Sequence, residues 1–137
     1  MDRKDLQELS RVRLREAKAL LKVGMADGAF YLAGYAVECA LKACIAKGTQ
    51  RFEFPDKKRV DSSYSHNLDL LVRIAGLEGA RVAYFNRSPE FRKHWDLVQF
   101  WSGESRYQRH QPEAAADLVA AVGDRRHGVI SWIKLYW

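Results

Sequence analysis

The segment from Asp27 to Lys47 constrains this chain more than any other. It carries Ala29, Ala33, Gly34, Ala36, Ala40 and Ala43, side chains small enough to let a neighbouring helix come close. A glycine inside a helix costs about 1 kcal/mol relative to alanine, so close packing at Gly34 is the expected compensation. The segment is predicted to be a helix stopped near Gly48. Inside this apolar run sit Glu38 and Lys42, four residues apart on one helix face, with the acid on the N-terminal side. That orientation suits an ion pair, which on a solvated surface contributes only a few tenths of a kcal/mol. Ala36, Val37, Cys39, Ala40 and Leu41 surround Glu38, and Tyr31 and Tyr35 precede it by seven and three residues. Two phenols and a carboxylate therefore share one stripe. Two readings stay open: a plain surface stripe, or the lining of a cleft or subunit interface.

Helical periodicity continues along the chain. Residues 5 to 23 place Leu6, Leu9, Leu14, Ala17, Leu20 and Leu21 at three- and four-residue steps between charged positions, an amphipathic helix ended near Gly24. Residues 48 to 64 hold Pro55, the basic cluster Lys57, Lys58 and Arg59, and no apolar face, so an exposed loop is expected. A third helix is predicted after Ser65 as N-cap, broken around Gly76 and Gly79 and resuming at Ser88-Pro89-Glu90 as far as Trp101. A last helix is predicted from Pro112 to Ile133 or beyond. No stretch alternates as a strand does. The fold class expected is all-α, an up-and-down bundle of four main helices with the third broken.

With 137 residues and 47% hydrophobic content, the chain suits one domain, 1 to 137, around one core. It contains no uncharged apolar run of about 18 residues, and its N-terminus lacks the apolar stretch of a signal peptide. The expected location is the cytoplasm, with no membrane partner. Cys39 and Cys44 are five apart on one helix, pointing about 140° away from each other. They are expected to be small, reduced core residues. An excess of 23 Lys and Arg over 17 Asp and Glu gives a formal charge of +6, which permits an anionic partner. Phosphate-binding loops and zinc-ligand spacing are absent, so no metal site and no cofactor are expected.

The run Tyr31-Leu-Ala-Gly-Tyr-Ala-Val-Glu-Cys-Ala-Leu-Lys-Ala43 follows Arg15-Glu-Ala-Lys-Ala-Leu-Leu21 and precedes Ser65-His-Asn-Leu-Asp-Leu-Leu71. Further on come Trp101, Ser105-Arg-Tyr107 and the closing Ile130-Ser-Trp-Ile133. In this order, over nearly the whole chain, these motifs resemble the HEPN domain family. The resemblance implies a bundle of four or five helices, usually a homodimer. Members are often encoded beside a small nucleotidyltransferase, and many are metal-independent ribonucleases in toxin–antitoxin or defence systems.

In catalytic members of that family an Arg is followed, after four to six residues, by a His at or near the start of the last helix. The corresponding residues here are Arg106 and His110, with three residues between them. In the implied chemistry His moves a proton from a ribose hydroxyl and Arg steadies charge on the phosphate. Arg87 and His94 have six residues between them but enclose Pro89 and precede the expected helix. A tyrosine two residues beyond the His, modified by the partner enzyme in one branch, is replaced by Pro112. Candidate nucleotide or RNA contacts are Tyr35, Glu38, Lys42, His66, Arg106, Tyr107 and Arg109. Of these His66, beside the Ser65 cap, is also expected to help close the helix start. His127 is expected on a basic exposed helix face, Trp95, Trp101 and Trp132 in the core or an interface, and Lys57, Lys58 and Arg59 either in a charged loop or on an RNA backbone. Three functions follow as expectations: a binding or regulatory partner of a nucleotidyltransferase, a metal-independent endoribonuclease using Arg106 and His110, and a plain dimerisation module.

Overall fold

The computed structural model describes residues 1–49 and 57–137, and among them it is all-helical. α1 spans Arg3–Lys22. It starts in a reciprocal cap, the Asp5 N–H donating to Asp2 Oδ1 and the Asp2 N–H to Asp5 Oδ2, which satisfies two amides at the helix start. Gly24, at φ +80, takes the left-handed turn that reverses the chain into the next helix.

α2, Ala26–Lys47, is the central element. α1 lies along it, joined by a buried hydrogen bond from Ser10 Oγ to the Ala36 carbonyl at 2.8 Å. α4 (Leu68–Ile74), α7 (Pro112–Gly123) and α8 (Val129–Ile133) also pack on α2. Its small residues do what their size allows: Ala29, Ala33, Ala36, Ala40 and Ala43 are fully buried. By length and composition α2 could cross a membrane, its one central ion pair notwithstanding. In this fold most of that stretch is buried against its neighbours.

Three expectations need correction. The supposed loop 48–64 contains a helix, α3 (Lys57–Ser63), packed on α4. Lys and Arg are good helix formers, and a helix this short needs only a neighbour to lean on. Pro55 and the side chains of Lys57, Lys58 and Arg59 lie outside the described residues. The cap of α4 is Asn67 rather than Ser65: Asn67 Oδ1 accepts from the Leu70 N–H at 3.0 Å, while Ser65 Oγ accepts from the Asn67 N–H at 2.9 Å.

The last helix, expected to be continuous, is interrupted between α7 and α8. Asp124 Oδ1 accepts from the Arg126 N–H at 3.1 Å, a local turn that competes with helix propagation. Gly128 then closes the turn, since a Cβ there would lie 2.2 Å from the Asp124 carbonyl oxygen. The expected break in the middle of the chain is present, dividing α4, α5 (Glu78–Arg87) and α6 (Pro89–Val98). Ser88 caps α6, its Oγ accepting from the Phe91 N–H at 3.1 Å, with Pro89 in the first turn. A 3-10 turn, Gly103–Tyr107, carries the chain from α6 toward α7 and touches α2.

Trp95, Trp101 and Trp132 are all buried, the core anchors their area suggests. Cys39 and Cys44 are buried and free.

Candidate functional site

Glu38 is the buried charge of α2, 2% exposed. A carboxylate taken out of water is costly unless each oxygen finds a partner. Here both do. Lys42 Nζ donates to Oε2 at 3.2 Å from the next helical turn, and His66 Nδ1 meets Oε1 at 2.7 Å from the segment leading into α4. The Lys42 side chain is 21% exposed and that of His66 47%, so the three groups run from the core outward. His66 therefore does not close the start of α4, as its position beside Ser65 suggested. It reaches across to α2.

The outer edge of His66 forms one wall of a cleft of about 450 Å³, lined also by Asn67, Phe100, Trp101, Gly103 and Glu104. Two glycines shape it. Gly103 lies against the imidazole, where a Cβ would come within 3.2 Å of Cδ2. Gly34 accepts the Trp101 ring, whose indole N–H donates to the Tyr31 carbonyl at 3.1 Å. Trp101 is thereby turned inward while its neighbour Phe100 stands 81% exposed at the cleft.

Tyr31 continues the stripe, stacking on Trp101 with ring centroids 5.7 Å apart and on Tyr35 at 6.0 Å. Burial, with the nearby Cys39 and Glu38, raises the Tyr35 phenol above its ordinary range. Arg106 extends from the 3-10 turn, and the neighbouring Tyr107 and Tyr31 phenols raise its guanidinium further above its ordinary range. It also lies over the Tyr107 ring at 4.8 Å. Tyr107 is 73% exposed, and Arg109 is exposed just beyond the turn.

The geometry separates the residues that the sequence grouped. Tyr35, Glu38, Lys42 and His66 lie on or against one stretch of α2, while Arg106 and Tyr107 pair with each other on the 3-10 turn, which touches α2. His110 is engaged elsewhere. Its ring stacks on Phe30 at 3.7 Å, its Nε2 donates to the Ser105 carbonyl at 3.0 Å, and its backbone N–H donates to Asp27 Oδ1 at 2.6 Å. It faces a different cleft, at the start of α2, beside Gly24, Met25 and Pro112. Arg87 and His94 also have separate partners, the Tyr84 ring and the His127 carbonyl. His127 sits in the turn before α8 rather than in a helix, its Nδ1 at 3.1 Å from the Ser88 hydroxyl.

The contributions of Phe100, Gly103 and Asn67 were not read from the sequence. A pair of adjacent aromatics at a helix end, one turned in and one out, is the signal that marks Phe100; Gly103 and Asn67 carry none without the fold. Among the described residues no cluster of three or more His, Cys, Asp and Glu has the arrangement of a metal site.

Compared with known proteins, the chain matches no family model, no curated protein and no solved structure.

Proposed function

We propose that this is a HEPN-type helical binding protein whose cleft beside His66 holds a nucleotide or single-stranded RNA. The observation that carries the reading is Glu38, 2% exposed, with both oxygens engaged and one of its partners, His66, walling a cleft. A buried carboxylate that does no more than stabilise the core is often replaceable by apolar side chains without loss, so its use to fix a cleft residue points to a ligand. Phe100 at that cleft offers a face for a base to stack on, and the 3-10 turn whose Gly103 and Glu104 line the cleft goes on to the exposed Arg106, Tyr107 and, just beyond it, Arg109, which offer a second aromatic and charge for a phosphate backbone. The formal charge of +6 acts in the same direction.

In this reading α1, α2, α6 and α7 are the main helices of the bundle. The protein works as a homodimer and as the regulatory partner of a small nucleotidyltransferase in a toxin–antitoxin or defence pair. Support for these parts comes from the sequence resemblance. The observed site favours binding over cleavage by Arg106 and His110, because His110 is occupied by Phe30 and Ser105.

The test is a fluorescence-anisotropy titration of labelled single-stranded RNA with the parent protein and with Arg106→Ala. Binding by the parent that weakens as salt rises, and weakens about fivefold or more in the variant, supports the reading. Absence of binding by the parent at low salt overturns it.

A further inference from the structure

We propose that His66 selects ribose over deoxyribose, by accepting a hydrogen bond from a ligand hydroxyl in the cleft that it lines together with Glu104. The inference rests on the cleft being a nucleotide or RNA site, as proposed above.

An ionised carboxylate only accepts hydrogen bonds, so the imidazole nitrogen facing Glu38 Oε1 at 2.7 Å must carry a proton. In the neutral ring this fixes the other nitrogen, Nε2, as a bare acceptor. Glu38 cannot easily change that assignment, being buried and tied at its second oxygen to Lys42. Gly103, lacking a Cβ, leaves room beside the ring's Cδ2 edge, next to Nε2. Among the described residues, the charged group that shares this cleft with the imidazole is Glu104, also an acceptor. An imidazole lone pair and a carboxylate repel phosphate and attract a donor. Phosphate oxygens therefore belong outside the cleft, with the exposed Arg106 and Arg109 further along the same turn and just beyond it, and the His66 side takes a group that donates. In a nucleotide the donor that accompanies every residue, whatever its base, is the 2′-hydroxyl, the group by which proteins tell RNA from DNA.

This makes Glu38 a positioning residue with a specific consequence. A glutamine at 38 has the same shape but can donate from its amide to Nδ1, which moves the ring proton to Nε2 and turns the acceptor into a donor. The ring stays and the preference goes.

The experiment measures affinities of the parent, His66→Ala and Glu38→Gln for a short uridine oligomer and for the deoxyuridine oligomer of the same length, in mildly alkaline low-salt buffer. These probes carry the same base and differ only in the 2′-hydroxyl, so a preference cannot come from a base amino group. The expected result is parent binding of both, with the ribose form favoured about tenfold, the scale of one hydrogen bond to a ligand. In both variants the ratio falls to about one, because the ribose form loses about tenfold more affinity than the deoxy form. Equal binding of the two oligomers by the parent overturns the inference and leaves the binding function standing. So does a ribose preference that survives in His66→Ala. No binding of either oligomer by the parent overturns both. Circular dichroism of Glu38→Gln confirms that a lost ratio is read on a folded chain, and His66→Ala, an outward-facing change, supplies the same readout independently.

Discussion

The indole of Trp101 lies across Gly34 so closely that a Cβ at Gly34 would stand 2.2 Å from the ring carbons. The contact joins the middle of α2 to the segment that carries Phe100, Ser102 and Gly103, and it sets the depth of the cleft beside His66.

Gly34→Ala separates two opposed effects. Helix propensity alone favours alanine by about 1 kcal/mol. The overlap with Trp101 forces the ring out, at a cost of about 1–3 kcal/mol or more, and the overlap wins because the clash is with the core rather than with the end of a flexible chain. A lower urea midpoint with an unchanged m-value is expected. A stabilised variant would show that Trp101 does not rest there.

Arg81 provides a test of opposite signs. It is buried on α5, its guanidinium 4.9 Å from the Trp95 ring centroid and Nη1 2.7 Å from Asp69 Oδ1. The ion pair is not an aligned hydrogen bond, and Nε and Nη1 are left without hydrogen-bond acceptors among the described residues. Removing the carboxylate by Asp69→Ala leaves a buried charge without its counter-ion and is expected to cost about 1–2 kcal/mol. Replacing the cation by Arg81→Met removes the desolvation cost instead and is expected to leave the melting temperature unchanged or raised. Thermal melts that fall equally in both variants would contradict this.

The cysteines set an alkaline limit. Burial pushes both thiols from an ordinary 9.0 up to about 11, with Glu38 adding to the shift at Cys39. A raised folded value means that the folded chain keeps protons the unfolded chain has released. The stabilisation is full below about pH 9 and is lost as pH climbs toward about 11. Urea midpoints measured across this window should fall less steeply in the double variant Cys39→Ala, Cys44→Ala than in the parent. Equal slopes would contradict the shift. At neutral pH the native thiols should resist a thiol reagent until denaturant is added.

His110 is predicted to matter for stability rather than for the ligand. Its stacking on Phe30 and its bond to the Ser105 carbonyl hold the 3-10 turn to α2. His110→Ala should cost about 1–2 kcal/mol in chemical denaturation and leave RNA affinity within about twofold. A large loss of affinity with stability intact would restore His110 to the site.

How far the sequence could be read depended on the range of the interactions. α1 and α2 were legible to within a few residues, because their periodicity runs over many turns and Gly24 and Gly48 punctuate it. Glu38 and Lys42 were legible as a pair because four residues along a helix is a local distance. His66, 28 residues from Glu38, was not, since only the packing of α4 on α2 brings them together. The turn between α7 and α8 escaped because one Asx turn and Gly128 override an otherwise helical pattern. α3 escaped because a seven-residue helix leaves no periodicity to find.

The ligand is expected to meet His66 and not His110. The most direct measurement is a titration of the isotope-labelled protein with a short uridine oligomer, following the imidazole signals of its four histidines by NMR. The His66 ring signals are expected to move with ligand concentration and saturate, while those of His110, His94 and His127 stay in place. A stationary His66 with a moving His110 would contradict this.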